Sequence, residues 1–396
     1  MKIGIRIPSL TKRIAARTSW KRIVRQNLGM KAPRGWGWLT NPRKAAYNRI
    51  YNRTTIDLFQ LGRTRKSGCL VMLAVVVFAT GGLSLLAVAQ RSYGSPSVLA
   101  EYVDQTWHDG ARNRDVPVRI YYPSTGTQAL PVIIFSHGLG GSREGYGYLG
   151  RHWASHGYIV VHPTHLGSDA SVLKSLRPLK SMRKAAVDMQ NAINRPKDVS
   201  FCIDRLTELN RSDATFKGRF MLDRIGVAGH SFGGFTALAS AGQTFVNTPG
   251  QSQLADPRIR AAIAMSAPAK PNTAAGLDQT YGSIRIPCFI MTGTMDDSPI
   301  GETKASDRRI PYDHMTEGRK YLLILTGGDH MVFSGRRLIR GESDERFQDL
   351  ILQGSTAFWD AFLKGDPDAG VWLRDGGFKE ALGQDGTFEK GRLNEM

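Results

Sequence analysis

The sequence predicts an α/β protein whose central sheet is mostly parallel and carries helices on both faces. Three observations lead to this prediction. Short apolar runs typical of strands buried on both faces recur along the chain from residue 131 onward. Segments of helical character separate several of these runs. One run breaks at a glycine-rich turn and continues at once into a helix-compatible segment.

The first two predicted strands form an antiparallel pair, 99–109 and 116–122, around a turn at Asp109–Gly110. The later strands alternate with helices, which favours parallel pairing. These strands are Pro131–Ser136, Tyr158–Val161, Ile225–Ala228, Ile259–Met265, Pro287–Thr292 and Tyr321–Leu325. Long helices are predicted over Ala185–Leu206 and Phe347–Leu363, and the basic stretch 166–184 is a candidate for a small lid.

Basic residues are concentrated at the start of the chain. The formal net charge is +19, but residues 1–66 hold seventeen Lys and Arg side chains against one acid, Asp57. The remaining residues therefore carry only +3. Because the basicity belongs to a tail, nucleic acid is not expected as a partner of the folded part. We expect this tail to be disordered.

An uncharged apolar run occupies residues 68–89 and is long enough to cross a hydrocarbon core as a helix. The basic side chains before it predict that its start stays in the cytoplasm and that the rest of the chain is extracytoplasmic. Two alternatives are open, an uncleaved membrane anchor and a signal peptide cleaved near Ala89. The predicted organisation is a tail over 1–66, a hydrophobic helix over 67–90 and an α/β domain over 91–396.

The glycine-rich turn has the sequence GHSFG at residues 229–233, directly after a predicted strand. A strand, a sharp turn with serine at its apex and a helix together form the nucleophile elbow of an α/β-hydrolase. A Cβ atom at Gly229 or Gly233 is expected to collide with the neighbouring strand or helix. Ser231 is therefore the predicted nucleophile, and His230 is expected to point away and serve packing.

The acid and the base are predicted at the ends of two later strands. In an α/β-hydrolase these residues follow the nucleophile in the order acid, then histidine. The strand ending at Thr292 runs into a turn with Asp296 and Asp297, and the last strand runs into a Gly-Gly-Asp-His turn ending at His330. His330 is the predicted base and Asp296 the predicted acid. Asp297 is the alternative acid, because a shift of one residue in the turn exchanges the inward-pointing side chain.

Two backbone amides are expected to stabilise an oxyanion formed at Ser231. The amide of Phe232 follows the nucleophile directly, and the amide of Leu139 lies in the turn after the first parallel strand. The predicted substrate-binding residues are His137, Gly138 and His165.

No metal or cofactor is expected. His162 and His165 have H-x-x-H spacing, but they lie on a loop without a matching carboxylate pattern, so a cleft-lining or hydrogen-bonding role is favoured over metal ligation. Cys202 and Cys288 lie in apolar surroundings and are expected to be buried thiols.

The stretch from SHGLGG to HPTHLGSD, together with GHSFGG, TGTMDDSP and GGDH, resembles the bacterial dienelactone-hydrolase-like and platelet-activating-factor-acetylhydrolase-like esterases. It is also similar to their polyester-hydrolase and cutinase-like relatives. The resemblance covers roughly Glu101–Lys364 and implies an α/β-hydrolase fold with esterase activity. True dienelactone hydrolases use cysteine where Ser231 stands here, so that activity is not expected.

The sequence therefore predicts a serine carboxylic-ester hydrolase that acts on short-acyl, lipid-like or polyester substrates and contacts a membrane through its N-terminal segment. Two alternatives are open. One is a peptidase or amidase of the same fold, and the other is a non-catalytic binding module built on that fold.

Overall fold

The computed structural model describes residues 4–6, 55–57, 93 and 98–391, the last range with gaps at 246–253, 273–275, 317 and 336–341. Within the first part, the three-residue strands Gly4–Arg6 and Thr55–Asp57 pair in parallel. The rest of the predicted basic tail and the apolar run 68–89 lie outside the described residues. None of the helices that are described is long and apolar enough to cross a membrane.

The unit Ala87–Met396 is built on a nine-stranded sheet. Its strands are β1 (Ala100–Asp109), β2 (Arg114–Pro123), β3 (Leu130–Ser136), β4 (Ile159–Pro163), β5 (Phe220–His230), β6 (Ile259–Met265), β7 (Cys288–Met295), β8 (Lys320–Asp329) and β9 (Gly386–Lys390).

The strand order is β9-β8-β7-β6-β5-β3-β4-β2-β1. Strands β3 to β8 run parallel to one another. The pairs β8–β9, β2–β4 and β1–β2 are antiparallel, so both edges of the sheet depart from the parallel pattern. The predicted mostly parallel sheet is confirmed.

The central strands are buried on both faces. Every residue of β3 is buried, and Ile133 and Phe135 join the apolar cluster on one face while Val132 and Ile134 join the cluster on the other. Each fully buried aliphatic side chain of this kind contributes about 1.5–3 kcal/mol to folding. The continuous apolar runs of the sequence thus form the middle of the sheet.

Helices cover both faces, as predicted. Side chains of α1, α7, α8 and α9 belong to the cluster of Ile133, and side chains of α3 to α6 belong to the cluster of Val132. The helices are α1 (Gly147–Ser155), α2 (Pro178–Val187), α3 (Met189–Ser212), α4 (Phe232–Ala241), α5 (Leu277–Tyr281), α6 (Ile310–His314), α7 (Glu342–Trp359), α8 (Pro367–Arg374) and α9 (Gly377–Leu382).

The predicted helix over Ala185–Leu206 is in fact two helices, which meet at Asp188. Asp188 has an extended backbone, and its carboxylate accepts a hydrogen bond from the Gln190 amide at 2.8 Å. This N-cap begins α3 and separates it from α2, because a capping aspartate satisfies a first-turn amide from outside the helix. The candidate lid therefore contains a helix of its own.

Parallel pairing brings the carboxyl ends of β3, β5, β6, β7 and β8 to one edge of the sheet. Two glycines allow the ends of β7 and β8 to approach each other closely. A Cβ atom on Gly293 would lie 2.2 Å from the carbonyl oxygen of Gly328, so the two backbones approach to a distance that only glycine permits. The carboxyl ends of β7 and β8, directly before Asp296 and His330, are therefore held close together.

Candidate active site

Ser231 lies at the tip of a strained turn between β5 and α4. Its backbone has φ 58° and ψ −119°, a region that residues with a side chain rarely adopt. The flanking glycines make this turn possible. A Cβ atom on Gly229 would lie 2.1 Å from the Gly233 carbonyl oxygen, and one on Gly233 would lie 1.9 Å from the Ser136 carbonyl oxygen. The collisions expected from the sequence are therefore present.

Ser231, His330 and Asp296 form a continuous hydrogen-bonded chain. Nε2 of His330 lies 3.0 Å from Oγ of Ser231, and Nδ1 lies 2.7 Å from Oδ1 of Asp296. Since a carboxylate only accepts, Nδ1 carries the proton and Nε2 is free to accept the serine proton. His330 and Asp296 are both buried, so the contact between them is shielded from water, whereas the contact of His330 with Ser231 is only partly buried.

The second oxygen of Asp296 is held by two hydroxyl groups. Ser266, which follows β6, donates at 2.6 Å, and Thr292 of β7 donates at 2.8 Å. Ser266 itself has a left-handed backbone with φ 48°. The two hydroxyl groups therefore hold Oδ2 of the carboxylate, and Oδ1 is left to face His330.

Asp297, the alternative acid, points away from His330. It is exposed, and its carboxylate accepts hydrogen bonds from the Ala305 amide at 2.9 Å and from the Lys304 ammonium at 3.3 Å. These contacts hold the pKa of Asp297 below its usual range, the Ala305 amide having the larger effect. The neighbouring carboxylates thus have different positions, because the turn aims only Asp296 inward.

A buried arginine lies beside the acid. Arg308 places Nε 3.0 Å from Oδ1 of Asp296 and also donates to the carbonyl oxygens of Ser266 and Ala267. Burial lowers the pKa of Arg308, and the charge of Asp296 opposes that effect. The ion pair is enclosed, and the hydroxyl groups of Ser266 and Thr292 supply the hydrogen bonds that such a pair needs inside a protein.

The two predicted oxyanion donors lie at the start of α4 and in the loop after β3. Phe232 is the first residue of α4, so its amide has no acceptor within the helix. In the loop after β3, the amide of Gly138 lies 3.3 Å from the Tyr146 hydroxyl oxygen, and Gly140 donates to the Ser168 carbonyl at 2.9 Å. Among the residues that the structure describes, none accepts a hydrogen bond from Leu139. Both predicted amides are therefore available to a ligand.

His137 and His165, the predicted substrate-binding histidines, bind protein groups in the structure. Both side chains are buried, and Nδ1 of His137 donates to the Gly138 carbonyl at 2.7 Å while Nε2 accepts from the His165 amide at 3.0 Å. His165 itself contacts Asp198 at 2.9 Å and Ser136 at 3.1 Å. All four ring nitrogens bind protein atoms, so these histidines support the loop from within.

Gly138 lies in that loop and contributes close packing. A Cβ atom there would lie 3.0 Å from the Tyr146 hydroxyl and 3.4 Å from Nδ1 of His230. Its place in the site is consistent with the predicted turn, and its amide already has a partner in the protein.

His230, the residue before the nucleophile, connects two of the loops. Its Nε2 donates to the carbonyl oxygen of His330 at 3.0 Å, and its Nδ1 accepts from the Tyr146 hydroxyl at 2.8 Å. The Tyr146 oxygen in turn lies 3.3 Å from the amide nitrogen of Gly138, which donates to it. Burial holds the pKa of His230 well below its usual range, so the ring is neutral. The predicted packing role therefore includes specific hydrogen bonds.

Four residues of the site were not identified from the sequence. Ser266 had a usable signal, because it follows a predicted parallel strand that lies between the nucleophile and the acid. Tyr146 and Arg308 had none, since neither lies at the end of a predicted strand. Arg195 of α3, which binds the His137 carbonyl oxygen in the loop after β3, lies in a helix that the sequence predicts only as a connection.

Comparisons with known proteins agree with this architecture. The family described as "Platelet-activating factor acetylhydrolase, isoform II" matches residues 106–194. The chain is 28% identical over 274 residues to platelet-activating factor acetylhydrolase of Canis lupus familiaris, an alignment that covers 62% of this chain and 54% of that protein. Over the same length it is 26% identical to the Bos taurus protein of that name, with the same coverage.

A second group of relatives consists of bacterial cutinases. The chain is 25% identical over 177 residues to cutinase 1 of Thermobifida cellulosilytica, which covers 45% of this chain and 52% of that protein. The chain thus spans only about half the length of most of these relatives. The sheet order, the serine elbow and these similarities together show that the chain belongs to the α/β-hydrolase superfamily. Within it, the chain is similar to platelet-activating factor acetylhydrolases and to cutinases, as the sequence motifs predicted.

Proposed function

We propose that this protein is a serine carboxylic-ester hydrolase. The observation that carries the proposal is the chain of contacts from Ser231 Oγ to His330 Nε2 at 3.0 Å and from His330 Nδ1 to Asp296 at 2.7 Å. This arrangement suits general-base activation of a serine, in which the carboxylate holds the imidazole in the required tautomer.

The reaction has two halves. His330 takes the proton of Ser231 as Oγ attacks the ester carbonyl, and the resulting oxyanion is stabilised by the amides of Leu139 and Phe232. The imidazolium then protonates the leaving alcohol, and an acyl-serine remains. Water, deprotonated by the same imidazole, attacks the acyl-serine, and collapse of the second tetrahedral intermediate releases the acid and restores Ser231.

The substrates we propose are small-molecule or lipid-like esters with a short acyl group. The names of the relatives support this class, since one group is named acetylhydrolase and the other cutinase. We further propose that the protein acts outside the cytoplasm and contacts a membrane through residues 68–89, on the strength of the apolar run and its basic flank.

The test compares the protein with its Ser231→Ala variant on p-nitrophenyl esters of increasing acyl length. We expect hydrolysis of the acetate and butyrate to be lost in the variant, and covalent labelling by a fluorophosphonate to be lost with it. Ser240→Ala is the matched control, because its hydroxyl is buried in α4 without a hydrogen-bond partner among the described residues. Undiminished turnover by Ser231→Ala would refute the proposal.

Amide and ester substrates with the same acyl group separate this proposal from a peptidase. We expect the ester to be cleaved far faster than the matching anilide. Comparable rates for the two would favour the amidase alternative, and absence of labelling in the unmodified protein would favour a non-catalytic module.

A further inference from the structure

One buried cation lies behind the loop that carries the Leu139 amide. Arg195 of α3 is 1% exposed, and no carboxylate group of the described residues lies within 4 Å of its guanidinium. Burial lowers the pKa of Arg195 to about 9, so it is still charged at neutral pH. Arginine is rarely buried in this way unless it is paired with a carboxylate, so the groups that its guanidinium binds must account for its position.

The guanidinium donates to three separate segments. Nη2 donates to the carbonyl oxygen of His137 in the loop after β3. Nη1 donates to the Ser168 hydroxyl, in the loop after β4, at 2.8 Å, and Nε donates to the Thr236 hydroxyl of α4 at 2.9 Å. The guanidinium carbon also lies 4.6 Å from the centre of the Phe232 ring. One side chain thus joins both loops to the helix.

These contacts hold the chain on both sides of Leu139, at His137 before it and at Gly140 after it. His137 lies two residues before it, and Arg195 holds the carbonyl of His137 directly. Gly140 lies one residue after it, and its amide donates at 2.9 Å to the carbonyl of Ser168, whose hydroxyl Arg195 also binds. Through Thr236, Arg195 also binds α4, the helix that begins with Phe232.

We infer that Arg195 is a positioning residue that sets the separation between the Leu139 and Phe232 amides, so that both donors reach one oxyanion. The inference rests on the proposed esterase function. Arginine suits this task because its planar group presents several donors in a fixed fork, which a lysine ammonium does not. The side chain does not touch the substrate and acts only through the two amides.

Thionoesters provide a readout that a purely structural role would not change. Sulfur is larger than oxygen and accepts hydrogen bonds poorly, so a well-aligned oxyanion hole cleaves an oxoester much faster than the corresponding thionoester. The ratio of the two kcat/KM values therefore reports the alignment of the amides. A misplacement of about 1 Å can cost about 100-fold in rate.

The experiment measures this ratio for the full chain and for Arg195→Lys, Arg195→Met and Thr236→Val, after titration of active sites with a fluorophosphonate. We expect kcat for the oxoester to fall about 10- to 100-fold in the Arg195 variants with little change in KM, and the ratio to fall with it. Thr236→Val removes one of the three contacts and should show a smaller change in the same direction. It also provides a variant that retains Arg195 if the others do not fold.

Arg346→Met is the matched control. Arg346 of α7 is a partly buried arginine that pairs with Asp385 at 2.8 Å and donates to the Ala381 carbonyl, and none of its ion-pair or hydrogen-bond partners lies in α4 or in the loops after β3 and β4. We expect this change to lower the melting temperature and to leave the ratio unaltered. A ratio within twofold of the unmodified value in both Arg195→Lys and Thr236→Val would overturn the inference. Absence of Ser231-dependent hydrolysis in the unmodified protein would instead contradict the proposed function.

Discussion

The adjacent aspartates 296 and 297 allow a sharp test of the proposed triad. Each can be changed to asparagine, which keeps the size of the side chain and removes its charge. Asp296 is buried and accepts hydrogen bonds from His330, Ser266 and Thr292, whereas Asp297 is exposed and caps a turn. We expect the two variants to differ greatly in activity.

The magnitude follows from the contacts of Asp296. If the new amide nitrogen faces His330, it meets a donor at 2.7 Å, and the imidazole must move its proton to Nε2, where it can no longer accept from Ser231. If the nitrogen faces the hydroxyl groups of Ser266 and Thr292, these can rotate to accept, but no negative charge remains to stabilise the imidazolium. Loss of this kind of acid lowers kcat by about 10⁴-fold, or about 5 kcal/mol of transition-state stabilisation.

The assay is the kcat of Asp296→Asn and Asp297→Asn on p-nitrophenyl acetate, with circular dichroism to verify that both variants fold. We expect Asp297→Asn to keep its rate within about threefold, because its carboxylate has no contact with His330 and exposed pairs of this kind contribute little. The reasoning would be refuted if Asp296→Asn lost less than about tenfold, or if Asp297→Asn were the more damaged of the two.

Three further predictions concern stability and reactivity. Gly233→Ala should unfold the protein or leave it insoluble, because the added Cβ would lie 1.9 Å from a backbone oxygen; a soluble variant with an unchanged melting temperature would contradict this. Burial lowers the pKa of His152 and of His162 to about 3, from 6.5 in the unfolded chain, so the unfolded state binds the protons first and stability is lost as pH falls below about 6.5. In urea unfolding, the free energy of unfolding should be lower at pH 5.5 than at pH 7.5, by up to about 1.4 kcal/mol per pH unit for each such histidine. The difference should be smaller in His162→Asn. Equal free energies of unfolding at the two pH values would refute this prediction. Burial raises the pKa of Cys288 to about 12, so iodoacetamide should modify this thiol only after unfolding. Peptide mapping by mass spectrometry measures the modification, and rapid modification of Cys288 in the native protein would contradict this prediction.

The sequence predicted those parts of the site that lie at the ends of strands. Ser231, Asp296 and His330 each follow an apolar run, and parallel pairing brings such ends to one edge. The choice between Asp296 and Asp297 could not be made in this way, because it depends on a single backbone rotation in the turn. In the structure, the Ala305 amide binds Asp297 and keeps that carboxylate away from His330.

Side chains that reach the site from elsewhere had no such signal. Arg195 lies within a helix and Arg308 in a short helical turn, and arginines at such positions are usually solvated. The periodicity of the helices does not reveal that these two guanidinium groups are buried. Conversely, His137 and His165 looked suited to a substrate because they follow strands, but following a strand does not fix whether a ring points outward or into the loop.

The hydrogen bonds through His230 have a single possible direction. Because Nε2 must donate to the backbone of His330, Nδ1 must accept, and the Tyr146 hydroxyl must therefore give its proton to the ring and receive one from Gly138. A phenylalanine at 146, or a side chain at 230 that cannot both give and take a proton, would leave the other member with an unmatched polar atom. Positions 146 and 230 are therefore coupled. A substitution at one of them keeps this hydrogen-bonded arrangement satisfied only if the other is substituted as well.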